Sequence, residues 1–132
     1  MKKGLLVLML LSAVACMGMK ENQAAVFPSQ KITVAVTVPD SGWRVRIMEV
    51  HRVEESLWVF SELAHLKGQS SQVISTVKDS IEIAAPSLPV VHFIIGKTWN
   101  WTDKKDSNRY IVSREDIAHD FQKGECLYQK KD

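Results

Sequence analysis

The sequence predicts a mainly β domain, an immunoglobulin-like antiparallel β-sandwich with a short C-terminal helix; a small β-barrel is the alternative. Three observations carry this expectation. Apolar residues alternate with period two in several short runs, turn residues recur at intervals of roughly ten residues, and helical periodicity appears only near the end. A length of 132 residues with 45% hydrophobic and 24% charged side chains suits one globular domain and excludes disordered, collagen-like and disulfide-rich classes.

Residues 31–38 alternate strictly, with Ile32, Val34, Val36 and Val38 on one face and Lys31, Thr33, Ala35 and Thr37 on the other. That pattern is a half-buried strand. Pro39, Asp40, Ser41 and Gly42 supply turn chemistry. A second strand starts at Trp43, with Val45 and Ile47 sharing its face, and its phase then switches to Met48 and Val50. One extra residue near Ile47 and Met48, a β-bulge, accounts for the switch. Leu57, Trp58, Val59 and Phe60 are apolar on both faces, which suits an interior strand. Gly68 and its polar neighbours break the chain before a strand over 72–77. Lys78, Asp79 and Ser80 read as a turn into a short strand over 81–83. Pro86 and Pro89 bracket a loop.

Residues 90–95 form a continuous apolar run and read as a central strand, and Tyr110, Ile111 and Val112 as the last strand. A helix follows over 114–123, with Ser113 as N-cap, acidic residues in its first turn and Ile117, Ala118 and Phe121 as its apolar stripe. Gly124 is its expected stop, and Leu127 and Tyr128 are expected to dock on the core.

The first thirty residues read as an address. Lys2 and Lys3 precede an apolar core from Leu5 to Leu11, and Ala13, Val14 and Ala15 have the small-x-small pattern of a cleavage site. This divides the chain into a signal peptide over 1–15, a tether over 16–30 and the folded domain over 31–132. Ser12-Ala13-Val14-Ala15-Cys16 resembles the cleavage box of bacterial lipoprotein precursors, with Ala13 standing where leucine is usual. The resemblance implies diacylation of Cys16 and anchorage to a membrane of the bacterial cell envelope. Ordinary cleavage, after Ala15 or near Ala24 and Ala25, is the alternative and gives a soluble periplasmic or secreted protein. A Cys16–Cys126 disulfide is then open.

Chemistry-bearing patterns are sparse. Lys2 and Lys3 account for the whole formal charge of +2, so the mature chain is neutral and gives no electrostatic reason to expect a nucleic-acid partner. His51, His65, His92 and His119 show no metal-ligand spacing, and His92 sits among apolar neighbours as a satisfied core residue. Neither a nucleophile elbow nor a phosphate-cradling loop is present, so no catalytic residue and no cofactor are assigned. A hydrolase site assembled from His51, His65 and Asp79 is the remaining enzymatic possibility. Trp43 and Trp58 read as core. Trp99 and Trp101, two apart and next to a charged loop, are the candidate partner-binding residues, for a protein or for a sugar ring.

Gly42-Trp43-Arg44-Val45-Arg46-Ile47, then Leu57-Trp58-Val59, Gly68 and Gln72-Val73-Ile74-Ser75-Thr76 resemble the C-terminal domain of bacterial protease-complex regulatory subunits. A more distant likeness is to chagasin-like cysteine-protease inhibitors. Both imply an immunoglobulin-like sandwich and a protease-regulating role, the inhibitors presenting loops, and neither carries over a catalytic or inhibitory residue. The function expected is that of a non-enzymatic envelope protein that binds another protein, with a carbohydrate-binding module using Trp99 and Trp101 as the alternative.

Overall fold

β-branched residues at every second position favour extended backbone with one buried face, and the long strands grow from such runs. The structure, a computed structural model, describes residues 27–68 and 71–131. Among them are β1 (Ser29–Val38), β2 (Trp43–Val53), β3 (Ser56–His65), β4 (Ser75–Ala84), β5 (Val90–Ile95), β6 (Arg109–Tyr110) and β7 (Glu125–Gln129). One helix, α1 (Glu115–Lys123), lies between β6 and β7.

β1 and β4 form an antiparallel two-stranded ribbon, and the other strands form a five-stranded sheet in the order β6-β5-β3-β2-β7. The two sheets stack face to face and do not close into a barrel. Ile32, Val34, Val36 and Val38 of β1 meet Val45, Ile47 and Val50 of β2 and Leu57, Val59 and Leu63 of β3 in one buried cluster. On the other face of the five-stranded sheet, Val53, Phe60 and Phe93 pack under Ile117 and Phe121 of α1. β3 is therefore covered on both sides, as its two-faced apolar pattern predicts.

Several details depart from the sequence reading. β3 and β5 are parallel, as are β5 and β6, so the larger sheet is mixed rather than antiparallel throughout. β3 occupies the centre, and β5 is second from the edge. Residues 78–80 make no turn, because β4 runs unbroken from Ser75 to Ala84. Asp79 points inward there, and its Oδ2 accepts the Ile47 N–H at 2.8 Å. The last strand among the described residues is β7 rather than 110–112, of which only Tyr110 pairs, together with Arg109 before it. Leu127 and Tyr128 pack against the main core from β7. β1 begins at Ser29, two residues before the expected domain start.

The bulge falls where the phase switch put it. Ile47 pairs with Ser61 and Glu49 with Phe60, leaving Met48 as the extra residue. At the start of α1, the Glu115 N–H donates to Ser113 Oγ at 3.1 Å. Asp116 Oδ2 accepts the N–H groups of Ser113 and Val112, but α1 starts at Glu115 with Arg114, not the expected Ser113, in the N-cap position and no side-chain cap there. Gly124 ends the helix with extended backbone, not a left-handed cap. A Cβ there would lie 2.2 Å from the Arg52 carbonyl oxygen, so glycine is needed for the close approach to β2.

The edge of β1 away from β4 is held by side chains rather than by a strand. The His92 ring meets the Thr33 backbone, Asn108 Nδ2 donates to the Ala35 carbonyl at 2.8 Å, and Thr37 Oγ1 donates to Asp103 at 3.3 Å. This blocks further pairing on that edge.

Candidate functional site

Three connections meet at one end of the sandwich: residues 39–42 between β1 and β2, 66–74 between β3 and β4, and 96–108 between β5 and β6. The first two are tied together. Ser41 N–H donates to the Ser71 carbonyl at 3.0 Å, Ser71 N–H donates to Ser41 Oγ at 2.8 Å, and Leu66 N–H donates to the Gly42 carbonyl at 2.8 Å. The third starts at Gly96, whose φ of +101° and 2.3 Å virtual approach to the Leu63 carbonyl both require glycine.

An aromatic cluster roofs the core at this end. Trp43 is buried, with Trp99 edge-on to it at 4.9 Å and His65 edge-on at 5.1 Å. Trp101 lies 6.1 Å from Trp99 and is 38% exposed. The structure thus separates the two candidate tryptophans: Trp99 is half-buried against the core, and Trp101 faces solvent. Lys97 stands over both Trp99 and Tyr110 and donates to the Trp99 carbonyl at 2.6 Å. Asp106 accepts from the Tyr110 hydroxyl, and burial together with that carboxylate raises the phenol above its ordinary range. These contacts fix the loop that carries Trp101.

The neighbouring loop carries further exposed apolar side chains: Leu66 at 47%, Val73 at 60% and Ile74 at 65%. The acidic groups at this end are engaged internally. Asp40 accepts from Gly42 N–H and His65 Nε2, Asp103 from Thr37 and Lys105 N–H, and Asp106 from Asn108 N–H and Tyr110. The end of the sandwich therefore offers apolar side chains on a hydrogen-bonded frame.

A second polar cluster lies on the opposite face of the five-stranded sheet, under α1. Glu49 and His51 on β2 are each only 7% exposed. His51 Nε2 donates to Glu49 Oε1 at 2.9 Å, and Arg114 donates to both carboxylate oxygens at 2.6 and 2.8 Å. Phe121 stacks on His51 at 3.8 Å with 16° between the rings. Burial alone would raise the Glu49 carboxyl, but the hydrogen bonds from Arg114 and His51 outweigh it and hold it below the usual range. Burial depresses His51, with Glu49 offsetting only part of the effect. The sequence reading missed Glu49 and Arg114, which are 65 residues apart. The available clue was a Glu and a His two apart on one face of a strand whose other face is apolar.

His51, His65 and Asp79 do not converge. His51 lies beneath α1, His65 pairs with Asp40 at the loop end at 2.8 Å, and Asp79 serves the bulge of β2. Neither His51 nor His65 hydrogen-bonds a hydroxyl or thiol among the described residues. No group of three or more His, Cys, Asp or Glu side chains is placed to hold a metal ion among them either. Trp58 donates its indole N–H to Ser56 Oγ at 3.1 Å and packs beneath α1. His119 is exposed on α1. Cys126 is disulfide-bonded, and Cys16, the expected lipid-attachment residue and the chain's other cysteine, lies outside the described residues, as do the signal peptide and most of the tether. No helix among the described residues is long and apolar enough to cross a membrane. Comparisons with protein-family models, curated proteins and solved structures return no match.

Proposed function

We propose that this chain is an exported, non-enzymatic binding module of the bacterial cell envelope that docks a partner protein through the loop end of its sandwich. The observation that carries the reading is the exposure of Leu66, Val73 and Ile74, in a connection hydrogen-bonded to residues 39–42, and of Trp101 beside the Trp43–Trp99 pair. Exposed apolar side chains with solvated alternatives cost solubility, and large aromatic and aliphatic anchors on ordered loops are what interfaces use.

Photo-crosslinking in the native cell tests it. A photoreactive residue at position 74 yields a discrete protein adduct, and one at Ser80 on the polar outer face of the ribbon does not. Identical patterns from both positions overturn the proposal. Retention on peptidoglycan that disappears in Trp99→Ala/Trp101→Ala replaces it with the glycan-binding alternative.

Anchorage of Cys16 by a lipid is part of the same proposal. Disulfide-bonded Cys126 favours the second reading, a soluble exported protein, because a lipidated cysteine holds its sulfur in a thioether that cannot enter a disulfide. Mass spectrometry of the N-terminal peptide separates them. A diacylglyceryl group on Cys16 supports the anchor, and a peptide cross-linked through Cys16 and Cys126 removes it.

A further inference from the structure

We propose that residues 111–124 form a strap across the outer face of the five-stranded sheet, with the Glu49–His51–Arg114 cluster as a catch that acid releases. The strap runs from β6, at one edge of the sheet, to β7, at the other. Both ends are secured by strand pairing, at Phe93 and Ile94 for β6 and at Glu49 to Arg52 for β7. Its middle can therefore lift while the anchors stay in place, a local opening rather than global unfolding.

Little holds that middle down. Ile111 at the strap's start is tied to the sheet by its N–H to the Ile94 carbonyl at 2.9 Å, whereas α1 itself buries only Ile117 and Phe121, and its polar tie to the sheet is the bidentate pair between Arg114 and Glu49. His51 is the proton-sensitive part of the catch. Its Nε2–H is used on Glu49, and its Nδ1 is buried with no hydrogen-bond partner. A neutral ring suits this arrangement, since Nδ1 then carries only a lone pair. Protonation adds a second N–H donor with no acceptor, under Phe121 and beside the Arg114 guanidinium.

The groups around the ring are accounted for on each side. β2 presents Glu49, and the strap presents Phe121 and Arg114, the latter also influenced by Glu115. β3 and β7 place Trp58 and disulfide-bonded Cys126 opposite His51 in register, and neither titrates. When the strap lifts, water hydrates the imidazolium, so opening takes up a proton. Burial's depression of His51 is relieved in the open state, and the opening equilibrium gains up to about tenfold per pH unit below the ordinary histidine range. Opening uncovers Trp58, Phe60 and Phe93.

Hydrogen exchange on the full chain, corrected for the intrinsic pH dependence of exchange, provides the test. Between pH 7 and pH 5 the amides of 115–123 lose protection relative to those of β3 in the wild type. His51→Gln, whose amide still donates to Glu49, flattens that dependence, and His92→Gln leaves it unchanged. Equal pH dependence in His51→Gln and wild type, or loss of the dependence in His92→Gln, overturns the proposal. Arg114→Met alters a partly exposed residue, so the variant keeps its fold if the His51 change does not. It lowers protection of 115–123 about tenfold at pH 7 while sparing β3. Unchanged protection in that variant also overturns it.

Discussion

Ser61 is fully buried in β3 and its hydroxyl has no hydrogen-bond partner. An orphan hydroxyl forfeits its hydration without compensation, so Ser61→Ala is expected to stabilise the fold by about 1 kcal/mol, an unusual sign for a core truncation. Urea denaturation measures it, and a drop in the midpoint contradicts the assignment. Glu54 presents a backbone cost instead. It occupies the two-residue turn between β2 and β3 with φ of +54°, a region that L-residues enter at roughly 1–2 kcal/mol. Glu54→Gly removes that penalty and gives back part of it as unfolded-state entropy, for a net gain of about 0.5–1 kcal/mol in the same measurement.

At the level of elements, β4 shows why part of the fold was legible in the sequence and part was not. The alternation of Ile32, Val34, Val36 and Val38 specified β1 because one face of that strand is buried along its whole length. The phase switch at Ile47 and Met48 specified the bulge for the same reason. Lys78, Asp79 and Ser80 misled, because their turn chemistry is local, whereas the reason for Asp79 is a backbone N–H 32 residues away. Asp79→Ala leaves that N–H unpaired at the bulge and is expected to cost about 1–3 kcal/mol. Asp79→Asn, which keeps an acceptor oxygen, should recover part of the loss. Thermal denaturation of the two variants side by side checks this, and equal losses would place the effect elsewhere. The candidate docking residues were half legible. The i, i+2 spacing of Trp99 and Trp101 singled them out, but Trp43 draws Trp99 into the core, and Val73 and Ile74 were read into a strand over 72–77, whereas β4 starts at Ser75 and leaves them exposed in the connection.

For the whole molecule, the buried titratable groups set the direction in which pH acts. His51 and His92 are both depressed below the ordinary value of 6.5, first by burial, with hydrogen bonds to Glu49 and to the Thr33 backbone offsetting part. The unfolded chain therefore binds more protons than the native one in the window just under pH 6.5. Their contribution is complete above 6.5 and is lost as pH falls through the folded values. Glu49, held below its ordinary 4.5, adds a second loss as pH falls below about 4.5. Urea midpoints taken from pH 7.5 down to pH 4 should decline in two stages, and His51→Gln/His92→Gln should remove the first. A flat profile between pH 7 and 5 in the wild type would contradict this.

The strand order has a bearing on synthesis. β7 supplies an outer strand of the larger sheet and pairs with β2, so residues near 50 wait for partners near 126. With β1 likewise waiting for β4, nearly every pairing beyond the β2–β3 hairpin is remote in sequence, which makes acquisition of the fold slow. With this wiring, local hairpin formation closes only β2 and β3, and the rest of the larger sheet waits on strands that follow much later in the chain.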